Sequence, residues 1–258
     1  TRLFPRKMRE RVLASDEYQL PLPVRLRRVI EELGPTYVKF GQILSTRPDL
    51  IPPDIVKELS KLQDEVSPFP FEQVQECVEE ELGRPLDQAY KSFSRAPIAS
   101  ASIGQVHEAT LADGREVVVK VQRPNIEKII KIDTEIMLDL AVKAEKRFEE
   151  ARLFNLVERV EEFTKTIHQE LDYTNEGQNA DRFRVNFEDD DSIHIPFVYW
   201  DYTTRRVLTM EYIHGIKIKD KEKLVARGYD LTYLTEVIAN AYIKMILLDG
   251  FFHGDPHF

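Results

Sequence analysis

The sequence predicts an α+β fold: a five-stranded antiparallel sheet accompanied by helices before, within and after it. Three observations carry that reading. Apolar residues recur at helical spacing from Pro23 to Leu82, switch to strand-like alternation after Pro85, and return to helical spacing at Asn125. An Asp113-Gly114 pair joins two alternating runs, a strong hairpin signal, because glycine supplies the positive φ of a tight turn. Two further alternating runs, "HIPFVYWDYT" and "RRVLTMEYI", follow the second block of helices.

The elements follow in order. The first twenty residues are charged and without a period, and read as a tail or a frayed helix. Val24, Leu26, Val29, Ile30 and Leu33 predict a helix that Gly34-Pro35 interrupts. "TYVKFGQILSTR" is a second helix, opened by Pro35 and closed before Pro48. Pro53 and Asp54 open a third, and Phe71, Val74, Val78 and Leu82 form the stripe of a fourth that Gly83 stops. "YKSFSRAPIA", "GQVHEATL" and "REVVVKVQ" are strands. "IEKIIKIDTEIMLDLAVKAEKRFEE" is one long amphipathic helix, and the stretch from Leu153 to Phe187 another. A closing helix spans roughly Leu231 to Leu248.

Composition narrows the function. The chain has 258 residues, 42% of them apolar, enough for a core, and a formal net charge of -9 that argues against nucleic acid as the main partner. The single cysteine, Cys77, excludes an intrachain disulfide, fits a reducing compartment and reads as a buried helix residue. The apolar run "YIKMILLDGFF" carries Lys244 and Asp249 and is shorter than the roughly 20 residues of a membrane span, so no crossing is expected.

Lys120 stands mid-strand in an apolar run, on the face opposite Val117, Val119 and Val121. A buried ammonium needs a partner; by pattern alone a solvent-facing lysine reads the same way. The candidate carboxylates lie in "HQELDYTNEGQNADRF". Asp172 and Glu176 are four apart and share a helical face, while Glu170 falls elsewhere on that helix. Lys39 and Gln42 are three apart and share a face, so both can enter one pocket. His253, Asp255 and His257 alternate and share no helical face, which argues against zinc.

The layout of strands and inserted helices is that of the small lobe of a protein kinase. In sequence order, "KFGQ", "PIASASIGQVHEA", "VVVKVQRP", "ELDYTNE", "VLTMEYIHG" and "HGDPH" resemble the UbiB/aarF family, atypical protein-kinase-like ATPases linked to ubiquinone and isoprenoid-lipid metabolism. The resemblance covers about residues 25 to 258. It implies that Ala99, Ser100, Ala101 and Ser102 form an alanine-rich loop in place of a glycine-rich one. Lys120 is the strand lysine with Glu176 its partner, and both would hold phosphates. Lys39 and Gln42 lie on a lid helix, with Glu170 and Asp172 engaging Lys39. Glu211 and Ile213 form an adenine hinge, and Asp255 is the catalytic-loop aspartate. ATP or ADP with Mg is the implied cofactor set.

The family pattern continues beyond HGDPH to an asparagine and a second metal-binding aspartate. The sequence stops at Phe258, so it reads as truncated within the large lobe, with its Mg ligands outside it. Three parts are expected: a helical extension over 1–84, a kinase-like lobe over 85–215, and the start of a large lobe over 216–258. The expected partners are a nucleotide, a lipid or quinone precursor, and peripheral membrane or quinone-biosynthesis proteins, in an intracellular protein, soluble or peripherally membrane-bound. An inactive lipid- or protein-binding module and an active protein kinase are the competing readings.

Overall fold

The computed structural model describes residues 20–62 and 67–254. The expected N-terminal tail and Asp255 lie outside the described residues. The N-terminal part holds helices α1 (Leu22–Leu33), α2 (Pro35–Ser45) and α3 (Pro53–Leu59), then α4 (Phe71–Leu82) and a short α5 (Leu86–Ala89). All five carry a proline just before or at their first positions, where a fixed φ and a missing N–H cost nothing.

The sheet holds β1 (Ser92–Ser100), β2 (Gly104–Thr110), β3 (Glu116–Gln122) and β4 (Val207–Glu211), in the order β1-β2-β3-β4, antiparallel throughout. Gly114 takes φ +91 in the β2–β3 turn, the left-handed conformation expected of the Asp-Gly pair.

Among the described residues the sheet has four strands, not five. The stretch 194–203 contributes only an isolated bridge, Val198 to Met210, with Tyr199 N–H donating to the Thr209 carbonyl at 2.9 Å. It then coils into the 3-10 turn Trp200–Tyr202. Two features end it as a strand. Pro196 has no N–H to give, and the Thr203 and Thr204 hydroxyls accept the N–H groups of Thr209 and Val207 at 3.1 and 3.2 Å. The alternation is real; the side chains of the bend take bonds that a ladder would have used.

Between β3 and β4 lie α6 (Ile126–Arg147), α7 (Glu149–Leu153), α8 (Leu156–Glu170) and α9 (Tyr173–Asn186). After β4 come α10 (Lys221–Ala226) and α11 (Leu231–Ile243), which runs into a π-turn at Lys244–Leu248. The π-turn is pinned by Lys244, whose ammonium donates to the Asn186 carbonyl (2.6 Å) and reaches both oxygens of Asp249 (2.9 and 2.8 Å). Leu231–Leu248 is 18 residues long with mean hydropathy 1.3, so by length and composition one described helix is long and apolar enough to cross a membrane. That stretch is longer than the run from Tyr242 because it takes in the apolar turns before it.

Three apolar clusters hold the fold. Val117, Val119 and Val121 are fully buried against α4 and α5, beside Val74, Val78 and Tyr90. Burying one such valine contributes on the order of 1.5–3 kcal/mol. The opposite sheet face packs on α6, α8 and α9 through Ile130, Phe163, Ile167, Leu171 and Leu208. Ile30, Val38, Leu59 and Leu62 form a third cluster among α1, α2 and α3. Helix α2 joins the last two: Phe40 stands edge-on to Phe163 at 5.0 Å, and Thr36 Oγ1 donates to Asp133 on α6 at 2.6 Å.

Candidate functional site: a cavity between sheet, lid helix and inserted helices

Alternation sends Val117, Val119 and Val121 to one core and leaves Lys120 on the other face of β3. That face looks at a break in the inserted helices. Spacing from Leu153 to Phe187 predicts one helix, and the structure has two. The buried Gln122 side chain donates to the Leu171 carbonyl at 2.7 Å, and Tyr173 N–H turns to the Arg205 carbonyl at 3.0 Å. Asp172 then restarts the helix as an N-cap, accepting from Thr174 N–H at 3.0 Å and its hydroxyl at 2.6 Å. The break overturns the helical-wheel separation of Glu170 from Asp172 and Glu176. All three line one cavity, with Lys39 and Lys120.

The cavity measures about 890 Å³, within the range of small-molecule sites. Lys120 Nζ donates to Glu176 Oε2 at 2.7 Å and lies 4.8 Å from the centre of the Tyr173 ring. Lys39 Nζ lies 3.1 Å from Glu170 Oε2. Two ammonium–carboxylate pairs therefore share one space, one anchored in the sheet and one in α2. The lining also has apolar residues, Ile103, Met210, Phe183 and Phe251, the last two with ring centres 4.6 Å apart and tilted by 37°. His253 and Gly254, the last described residues, also line it.

Other expected residues sit around the cavity. Ala99 and Ser100 end β1, paired with Val106 and Gln105, and Ala101 N–H donates to the Gly104 carbonyl at 2.8 Å. The turn they form with the buried Ser102 meets the cavity through Ile103. Gln42 donates to the Leu62 carbonyl at 3.4 Å, inside the N-terminal helices, and does not share the cavity wall with Lys39. Glu211 closes β4; its N–H donates to the Phe197 carbonyl (2.8 Å), and its carboxylate accepts from Phe197 N–H (3.1 Å) and faces His194 Nε2 (2.9 Å). Ile213 is exposed just beyond the strand, and Met210 is the β4 residue that lines the cavity.

The sequence reading missed Tyr173. It is 1% exposed, and its hydroxyl is buried with no hydrogen-bond partner among the described residues. Burial, reinforced by the neighbouring Glu176, pushes its pKa far up. The ring is the floor beneath Lys120. The hydroxyl occupies the space above Gly104, where an added Cβ would also come within 2.5 Å of the Val121 carbonyl oxygen. An aromatic residue directly after the capping aspartate, opposite a glycine at a strand start, is the signal that could have found it.

A lysine from the third strand of an antiparallel sheet paired to a glutamate on an inserted helix defines a protein-kinase-like small lobe. Comparison with known proteins narrows the class. Residues 61–258 match the family model described as the ABC1 atypical kinase-like domain. A protein of Marinobacter nauticus named "Probable protein kinase UbiB" is 48% identical over 233 residues, which cover 90% of this chain and 43% of that protein. The chloroplastic "Activity of bc1 complex kinase 7" of Arabidopsis thaliana is 46% identical, with coverage of 90% and 33%. Among solved structures, the Rv3197–erythromycin complex from Mycobacterium tuberculosis superposes with a TM-score of 0.52 at 27% identity, covering 83% of this chain and 52% of that one. The chain belongs to the ABC1/UbiB family of atypical kinase-like proteins. It spans less than half the length of these two curated relatives.

Proposed function

We propose that the cavity binds ATP or ADP and that the whole protein is an atypical kinase-like ATPase serving ubiquinone or other isoprenoid-lipid biosynthesis. The observation that carries the reading is the 2.7 Å Lys120–Glu176 pair inside the cavity. A lysine so held points a fixed positive charge at the α- and β-phosphates, the arrangement kinases use. In this reading the adenine lies at the β4 end near Met210, served by the backbone of Glu211 and Ile213. The alanine-rich turn over Ala99–Ser102 covers the phosphates, and a Cβ at each position makes it stiffer than a glycine loop. Lys39, Glu170 and Asp172 form the lid region, with the Lys39–Glu170 pair narrowing access for a bulky acceptor, while Gln42 ties the lid helix to the Leu62 carbonyl. Asp255, outside the described residues, takes the nucleophile-orienting role on its motif alone. Among the described residues no three His, Cys, Asp or Glu side chains gather to hold a cation, so no step is assigned to Mg. The division into extension, small lobe and large-lobe start belongs to the same proposal, as does an intracellular site of action at or near a membrane.

The test is stabilisation by ATP: a rise in melting temperature in the wild type that Lys120→Ala abolishes. A second reading, binding of a bulky apolar small molecule, is favoured by the apolar lining residues and by the erythromycin complex of the structural relative. Displacement of a fluorescent ATP analogue by erythromycin, but not by ATP, would select it.

A further inference from the structure

Arg123 follows β3, three residues beyond Lys120. Its backbone N–H donates to the Ile103 carbonyl at 2.8 Å. Its Nη2 donates to the carbonyls of Ala101 and Ser67, both at 3.2 Å, and reaches Ser100 Oγ at 3.5 Å. The guanidinium lies 5.2 Å from the centre of the Phe69 ring. One residue thus engages the Ala101 carbonyl of the alanine-rich turn, the Ile103 carbonyl just after it and, at the same time, the segment that leads into α4. That segment is gripped from its other side: Gln105 Oε1 accepts from Phe69 N–H at 3.0 Å, and its amide donates to the Phe69 carbonyl at 3.3 Å.

All three side-chain contacts fall on Nη2, whose position is set by a rigid planar guanidinium lying against the Phe69 ring; a lysine ammonium on its flexible stem is not fixed there. Burial lowers the pKa of Arg123, a sign that its charge is partly stripped of water, where bonds to carbonyl dipoles strengthen. The stiffness of the turn therefore has two sources. One is the Cβ atoms of its alanines. The other is a cation, Arg123, bonded to its Ala101 carbonyl.

We propose that Arg123 is a positioning residue: it fixes the alanine-rich turn beside the cavity and couples its position to the 67–69 segment, and so to α4. The nucleotide part of this rests on the function proposed above. Opening the turn would break the Arg123 bonds and release Ser67, so the turn and the segment leading into α4 move together.

The experiment compares wild type, Arg123→Ala and Arg123→Lys by hydrogen exchange over residues 99–104 and by binding of a fluorescent ATP analogue. Arg123→Ala is expected to exchange at least tenfold faster in that stretch and to bind the analogue about tenfold more weakly. Guanidinium at tens of millimolar should restore both in Arg123→Ala, at concentrations that leave wild type unchanged. Arg123→Lys should fall between, and serves if the alanine variant does not fold. A purely structural role would lower the melting temperature without rescue by guanidinium. Unchanged exchange over 99–104 in both variants overturns the proposal, as does faster exchange with unchanged analogue affinity. If wild type binds no nucleotide, the functional reading fails, and the exchange data alone decide whether Arg123 fixes the turn.

Discussion

Replacing Lys120 by alanine separates two energies that the structure sets apart. In the unliganded protein the side chain makes an ion pair with Glu176 and a cation–π contact with Tyr173. The lysine is 28% and the glutamate 44% exposed, so the pair is screened by water and contributes about 0–1 kcal/mol. The ring contact adds roughly 0.5–1 kcal/mol. Lys120→Ala is then expected to cost about 0.5–2 kcal/mol, a melting-temperature drop of a few degrees. The loss toward nucleotide is larger. A hydrogen bond to a charged group is worth about 1.5–3 kcal/mol, or roughly 10- to 150-fold in affinity. At ATP a hundredfold above its Kd, wild type gains about 2.7 kcal/mol; a variant a hundredfold weaker gains about 0.4 kcal/mol. Differential scanning fluorimetry with and without ATP reads both. Glu176→Gln, which frees the lysine without removing it, should lose less affinity than Lys120→Ala. A Lys120→Ala protein that melts within a few degrees of wild type and keeps the full ATP shift refutes the reasoning.

Other expectations test the ground beneath the cavity. Gly104→Ala forces a Cβ against the Tyr173 hydroxyl and the Val121 carbonyl oxygen, and should cost about 1–3 kcal/mol in urea unfolding. Tyr173→Phe in the same protein should recover part of that loss, and no loss at all in the single variant removes the argument. Tyr173→Phe alone discards a buried hydroxyl with no partner among the described residues and keeps the ring under Lys120, so stability should hold or rise by up to about 1 kcal/mol; a fall of that size contradicts it. His107 is buried, and desolvation lowers its pKa from 6.5 against the opposing bond to the Ser94 carbonyl. The depressed value means that its contribution is present above pH 6.5 and is lost as pH falls below it, until the folded imidazole protonates. Urea midpoints between pH 7 and 5 should fall more steeply for wild type than for His107→Gln; parallel slopes refute the assignment.

Much of this was legible in the sequence because the signals were local. The valine alternation around Lys120, the Asp-Gly turn and the prolines opening the N-terminal helices each fix geometry within a few residues. The Lys39–Glu170 and Lys120–Glu176 pairs were reachable only through the motif resemblance, since no spacing rule links residues 131 or 56 positions apart. What stayed hidden depended on distant groups. Nothing near Leu171 announces a helix break, because Gln122, 49 residues away, supplies the cause. The missing fifth strand had a local cause instead: the Thr203 and Thr204 hydroxyls take N–H groups across a bend, which alternation of apolar residues does not register. Tyr173 and Arg123 lay inside recognised motifs, yet their work is to support neighbours, and motif reading attends to the groups that would touch a ligand.

The sole tryptophan, Trp200, leans on α9 one residue beyond Glu176: its indole covers Gly177, and its Nε1 donates to Asp181 at 2.7 Å. Any shift of that helix alters the polarity and hydrogen bonding around a single fluorophore. The chain therefore carries an intrinsic optical gauge of its carboxylate-bearing helix, readable in a stopped-flow instrument without a label or an added dye.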